Sequence, residues 1–271
     1  MIKKQNIIIS IFLLLVMNLS AQEGQEYPTF NEEIAIGIGE DSIAMYALIA
    51  AGKEKKETVI LLHGLPGNER NLDLAQDLRA EGKNVIYFNY RGSWGSQGQF
   101  LYSNCIEDVS HVLDYLTGSS NVANLRIDTI RFVLFGHSLG AGIALIAGAK
   151  DQRVKKVISL SGFNVAYGID ENTSPDSLLL KNYLSSLFML NCDPNTFLLE
   201  VIDNHVAYNP LSYTKELKAK SILILNDFEK ENHWSEELRG LVDHHFIESD
   251  HSFTNKRKEM IAYVLNWLEK N

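Results

Sequence analysis

The sequence predicts one α/β domain: a mainly parallel sheet of about eight strands, helices on both faces, and a single helical insertion. Three observations carry this. Short unbroken apolar runs alternate with segments of helical period, the pattern of parallel strands covered on both sides. One such run, Ile130 to Phe135, leads through Gly136-His137-Ser138-Leu139-Gly140 into the small apolar stretch Ala141 to Ala149. That is a strand, a sharp turn and a buried helix. The alternation then stops between Phe163 and Leu217, a span too long for an ordinary loop.

Taken in order, residues 1–21 read as a secretory signal peptide. A basic start with Lys3 and Lys4 precedes the apolar run Ile7 to Val16, and Ala21 offers a small residue for cleavage. The run is shorter than the roughly 20 residues of a spanning helix, so export and cleavage are expected, with an uncleaved anchor as the alternative. About 250 residues follow, residues 22–271, enough for one full core.

Glu33 to Gly37 and Ile43 to Ala50 read as two early strands split by the turn Gly39-Glu40-Asp41-Ser42. Thr58 to Leu62 is a buried strand, Asn71 to Ala80 a helix, and Asn84 to Asn89 a strand. Ile106 to Leu116 is a helix with Ile106, Val109, Val112, Leu113 and Leu116 facing inward. After the Ser138 turn and its helix come strands at Val154 to Leu160, Ser221 to Leu225 and His244 to Ile247. The helix Lys258 to Leu268 ends the domain. Within residues 163–217, Pro175, Pro194 and Pro210 punctuate helical-looking pieces at Ser177 to Leu190 and Thr196 to Val206, read as a lid over the C-terminal edge of the sheet.

A net charge of −9 disfavours nucleic acid as a partner. The two cysteines, Cys105 and Cys192, are far apart, and spacing cannot show that they meet; they read as buried free thiols. No CxxC or HExxH spacing supports a zinc site, and neither a metal nor an organic cofactor is called for.

The chemistry centres on Ser138. A serine hydroxyl is a poor nucleophile at neutral pH and needs a base. His251 in Asp250-His251-Ser252-Phe253 is the candidate, because it follows the last strand, and loops after parallel strands share one rim. His244 and His245 start that strand and are expected at the opposite rim, and His137 reads as packed inside the turn. The orienting acid should follow Ser221 to Leu225, where Asp227 and Glu229 are the alternatives, with Glu231 behind them. Two main-chain donors should face the developing oxyanion: the N–H of Leu139, and that of Leu65 in His63-Gly64-Leu65-Pro66-Gly67. A third glycine-rich loop, Tyr90-Arg91-Gly92-Ser93-Trp94-Gly95, reaches the same rim. Arg91 is expected to pair structurally with a nearby acid such as Asp108, and Trp94 is a candidate for lining a pocket.

These motifs, in this chain order, resemble the α/β-hydrolase superfamily over nearly the whole chain from about Glu33 onward, most nearly the small bacterial esterases and prolyl-oligopeptidase-type catalytic domains. The resemblance implies an α/β-hydrolase fold and a serine hydrolase acting through an acyl-enzyme on a small-molecule acyl substrate, an ester before an amide. Family members commonly carry the acid at the end of a Gly-x-x-Asp turn. That turn is missing here, which leaves Asp227 and Glu229 both open. A peptidase of short peptides and a non-catalytic binding protein of the same fold are the alternative readings.

Overall fold

The computed structural model describes residues 26–170, 172–177, 179–228 and 233–271. The segment read as a signal peptide, and both Glu229 and Glu231, lie outside the described residues. The strands are β1 (Phe30–Ile38), β2 (Asp41–Ile49), β3 (Lys56–Leu62), β4 (Asn84–Phe88), β5 (Ile127–His137), β6 (Val154–Leu160), β7 (Ser221–Asn226) and β8 (Asp243–Phe246). They form one sheet in the order β1-β2-β4-β3-β5-β6-β7-β8. β1 and β2 form an antiparallel pair, β2 runs antiparallel to β4, and β3 through β8 are mutually parallel.

Eight helices accompany the sheet among the described residues: α1 (Leu72–Ala80), α2 (Tyr102–Thr117), α3 (Ser119–Asn124), α4 (Leu139–Lys150), α5 (Leu180–Ser185), α6 (Pro194–Asp203), α7 (Thr214–Leu217) and α8 (Arg257–Lys270). Side chains alternate across a strand, and the central strands therefore feed two cores. Ile60, Leu62, Phe132, Leu134, Ile222 and Ile224 join the core under α2, α4 and the insertion. Their neighbours Val59, Leu61, Val133, Phe135, Leu223 and Leu225 pack against α1 and α8. Burial on both faces is why these strands read as continuous apolar runs rather than alternating ones.

The insertion between β6 and β7 is less helical than its sequence suggests. Among the described residues of Ser177 to Leu190, only Leu180–Ser185 is α-helix. Leu187 and Leu190 reach the core through successive turns instead. The chain then pairs with the glycine-rich loop after β4: Asn191 N–H donates to Gly92 O (2.7 Å) and Phe100 N–H to Asn191 O (2.9 Å). Non-local backbone bonds have replaced local helical ones there. α6 starts at Pro194, two residues before the expected start, because Asp193 caps it by accepting from Thr196 N–H (2.7 Å). Cys105 and Cys192 are free thiols, the first buried and the second half-buried.

Candidate active site

Ser138 stands between the end of β5 and the start of α4 with φ 56° and ψ −121°, a backbone conformation that side-chain-bearing residues rarely adopt. The surroundings hold it there. Its N–H donates to Leu160 O (2.9 Å), and its carbonyl accepts from the N–H groups of Ala141 and Phe163 (3.0 Å each). The turn is tight enough to need both flanking glycines. A Cβ on Gly136 would stand 2.1 Å from Gly140 O, and one on Gly140 would stand 2.3 Å from Leu62 O. Leu139, immediately after, opens α4, and the N–H groups of a helix's first turn have no partner within the helix.

His63 to Gly67 follow β3, the strand beside β5, at the same edge of the sheet. Trp94 Nε1 donates to Pro66 O (2.6 Å) and Arg70 Nε to Gly67 O (3.2 Å), bracing the loop from outside. His63 is buried, its Nδ1–H donating to Gly64 O (2.8 Å), and burial pushes its pKa down to about 4. Leu65 is partly buried against the core on the insertion side.

Asp227 directly follows β7 and is buried. Its Oδ2 accepts from His251 Nδ1 at 3.3 Å. Burial alone would raise this carboxyl's pKa, but hydrogen bonding, that with His251 foremost, outweighs it and holds the group below its usual value. Among the described residues Asp227 is the carboxylate joined to His251. His251 itself lies in the loop after β8 with its side chain 55% exposed. Ser138, Asp227 and His251 line one cavity of about 270 Å³, walled by Phe163, Phe228 and His233. Among the described residues no hydrogen bond joins His251 directly to Ser138; hydrogen bonds between reacting groups are often long or poorly aligned until substrate is bound.

Three further placements bear on the sequence reading. Arg91 pairs with Asp108, Nε to Oδ1 at 2.5 Å, and its own N–H donates to Oδ2 (2.7 Å), a structural role. Trp94 braces the Pro66 loop rather than walling the cavity. His244 is not at the far rim: β8 has only four residues, and His244 Nε2 lies 3.3 Å from Nδ2 of Asn226, the last residue of β7. The cavity walls Phe163, Phe228 and His233 escaped the sequence reading, although the rule of loops after parallel strands points to the chain following β6 and β7. His137 does more than pack. Its Nε2 is 2.8 Å from the carbonyl oxygen of His251, and the two rings lie 5.0 Å apart. Among the described residues no cluster of three or more His, Cys, Asp or Glu is placed to hold a metal ion.

Residues 57–188 match the family model described as the alpha/beta hydrolase fold. An Escherichia coli protein described as an uncharacterized 31.7 kDa protein in the traX-finO intergenic region is 33% identical over 129 residues, covering 45% of this chain and 43% of that protein. A serine hydrolase-like protein of Dictyostelium discoideum is 30% identical over 131 residues, covering 48% of this chain and 34% of its own. The chain thus spans less than half the length of these curated relatives. An esterase structure from Pyrococcus furiosus superposes with a TM-score of 0.61 at 17% identity, covering 91% of this chain and 92% of its own, a likeness of fold.

Proposed function

From the chain's membership in the alpha/beta hydrolase superfamily, we propose that it is a serine hydrolase that cleaves carboxylic esters through an acyl-enzyme. The observation that carries this is the Asp227–His251 bond, 3.3 Å, beside a cavity that also holds the strained Ser138. Ser138 Oγ attacks the carbonyl carbon as His251 Nε2 takes the hydroxyl proton, and Asp227 steadies the imidazolium. The N–H groups of Leu139 and Leu65 stabilise the oxyanion. The tetrahedral adduct collapses, the alkoxide leaves with the proton from His251, and Ser138 keeps the acyl group. Water deprotonated by His251 then attacks the acyl carbon, releasing the acid and restoring the serine.

Several observations favour small esters. The cavity of about 270 Å³ has apolar walls in Phe163 and Phe228 that suit a compact acyl group. The matched Pyrococcus furiosus structure is an esterase. The insertion between β6 and β7, whose first residue Phe163 walls the cavity, is read as its lid. The signal-like residues 1–21 favour export, which a mature N-terminus at Gln22 in the exported protein would bear out.

A fluorophosphonate probe tests the assignment. The wild type should take one label at Ser138 and hydrolyse short-chain p-nitrophenyl esters, and Ser138→Ala should do neither. An unlabelled wild type, or persistent labelling of Ser138→Ala, would overturn it. An aminoacyl-amide panel cleaved as fast as the esters would move the substrate class to peptides.

A further inference from the structure

We propose that His137 is a positioning residue for the general base, its buried ring tying the main chain of His251 to the residue next to the nucleophile. The inference rests on the serine-hydrolase reading above. His251 cannot be fixed by packing, since over half of its side chain is exposed. Its loop is fastened on either side. Ile247 N–H donates to Asn226 O (3.0 Å) and Ser249 N–H to Asp227 O (2.9 Å), while Phe253 is fully buried beyond it. At residue 251 itself, the hydrogen bonds among the described residues are two: the ring to Asp227, and the carbonyl from His137.

The second of these has a defined chemistry. A carbonyl oxygen only accepts, so His137 carries its proton on Nε2 and donates it. The ring is 3% exposed, and burial, the largest influence on it, pushes its pKa down to about 4. The donor is therefore neutral throughout the range in which a histidine base works. No second positive charge faces the His251 imidazolium across the 5.0 Å between the ring centres. An apolar side chain would fill the site without burying two ring nitrogens. What imidazole adds is the donor. Because the turn is clamped by Gly136 and Gly140, the position of His137 is referenced to Ser138. The bond thus sets the separation of nucleophile and base, where an error of about 1 Å can cost on the order of 100-fold in rate.

Two substitutions separate the donor from the volume. His137→Met fills similar space without a donor, whereas His137→Gln places an amide nitrogen near the position of Nε2. On p-nitrophenyl acetate, His137→Met should lower kcat by about 10- to 100-fold with KM within about threefold. His137→Gln should recover to within about fivefold of wild type. Thermal melts establish that each variant folds. A His137→Met enzyme with wild-type kcat, or a His137→Gln enzyme as impaired as His137→Met, would overturn the proposal. Should His137→Met not fold, ¹⁵N NMR of the wild-type histidines decides: a proton on Nε2 of His137 supports the proposal and one on Nδ1 ends it. A wild type without turnover and unlabelled at Ser138 would instead overturn the hydrolase reading.

Discussion

Gly64 lies so close to Ser138 that a Cβ on it would stand 2.7 Å from the serine Cβ and 2.9 Å from the carbonyl oxygen of His137. The carbonyl belongs to the end of β5 and cannot give way as a flexible side chain could, so any added methyl must push the loop after β3 outward. That loop carries the Leu65 amide. Gly64→Ala should therefore lower kcat/KM by about 100-fold or more, through a misplaced oxyanion donor. It should also lower stability by about 1–3 kcal/mol from overpacking. Near-normal ester turnover in a folded Gly64→Ala enzyme would show that this loop takes no part in the chemistry.

Asp227 should be the acid whose charge matters. Burial opposes its ionisation, yet its bond with His251 helps keep the carboxyl below its ordinary value, and it remains charged at working pH. Asp227→Asn keeps the shape but removes the charge and the obligatory acceptor. A fall in kcat of about 10³- to 10⁴-fold is expected, as when other serine triads lose this carboxylate. Glu229→Gln, measured beside it, should stay within about threefold of wild type. The reverse ranking would move the acid to Glu229.

The sheet was legible because its central strands are buried on both faces. Runs such as Thr58 to Leu62 have no exposed face to blur them, and they form the buried end of β3. The Ser138 turn was legible because its glycines answer a local steric demand. The Ser177 to Leu190 part of the insertion was not, because what orders it is non-local: the backbone of Asn191 bonds to Gly92 and Phe100, roughly 90 to 100 residues away in sequence. The position of His244 was misjudged for a related reason. The length of β8 decides which rim its first residues reach, and four residues are too few to separate the rims. Between Asp227 and Glu229 the sequence could not choose, because the deciding contact is with the His251 loop, which Asp227 meets across 24 residues.

Glu200 should stabilise the fold without serving the chemistry. α2 is a 16-residue helix with Leu101 at its N-cap and no side-chain cap of its own. The missing acceptors come from α6: Glu200 takes the N–H groups of Tyr102 (3.0 Å) and Ser103 (3.3 Å), and Tyr208 Oη donates to it (2.9 Å). A carboxylate at a helix start gains from the orphan donors and from the helix dipole. Glu200→Ala should cost about 1–2 kcal/mol of stability, read by denaturant unfolding, and Glu200→Gln less. Short-ester kcat should stay within about twofold of wild type in both, since neither touches the cavity. A large loss of kcat with unchanged stability would reverse this assignment.

Stability should also fall as the medium is acidified, over a window set by two histidines. His63 and His137 are both pushed down to about 4, chiefly by burial, whereas in the unfolded chain they titrate near 6.5. Between these values the unfolded chain binds the extra protons, so folding stability drops as pH falls from about 6.5 to about 4. Each histidine contributes on the order of 3 kcal/mol by the lower limit. Protonating His63 would strand a charge, since its Nε2 is buried without a hydrogen-bond partner among the described residues. Carboxylates held below their usual values, Asp227 and Asp73 among them, stabilise the fold above the ordinary carboxylate range, and that stability is lost only at still lower pH. Denaturant unfolding from pH 7 to 4.5 should therefore show a slope in wild type that is roughly halved in His137→Gln and nearly abolished when His63→Asn is added. A flat wild-type profile across that range would mean that neither imidazole is held neutral by the fold.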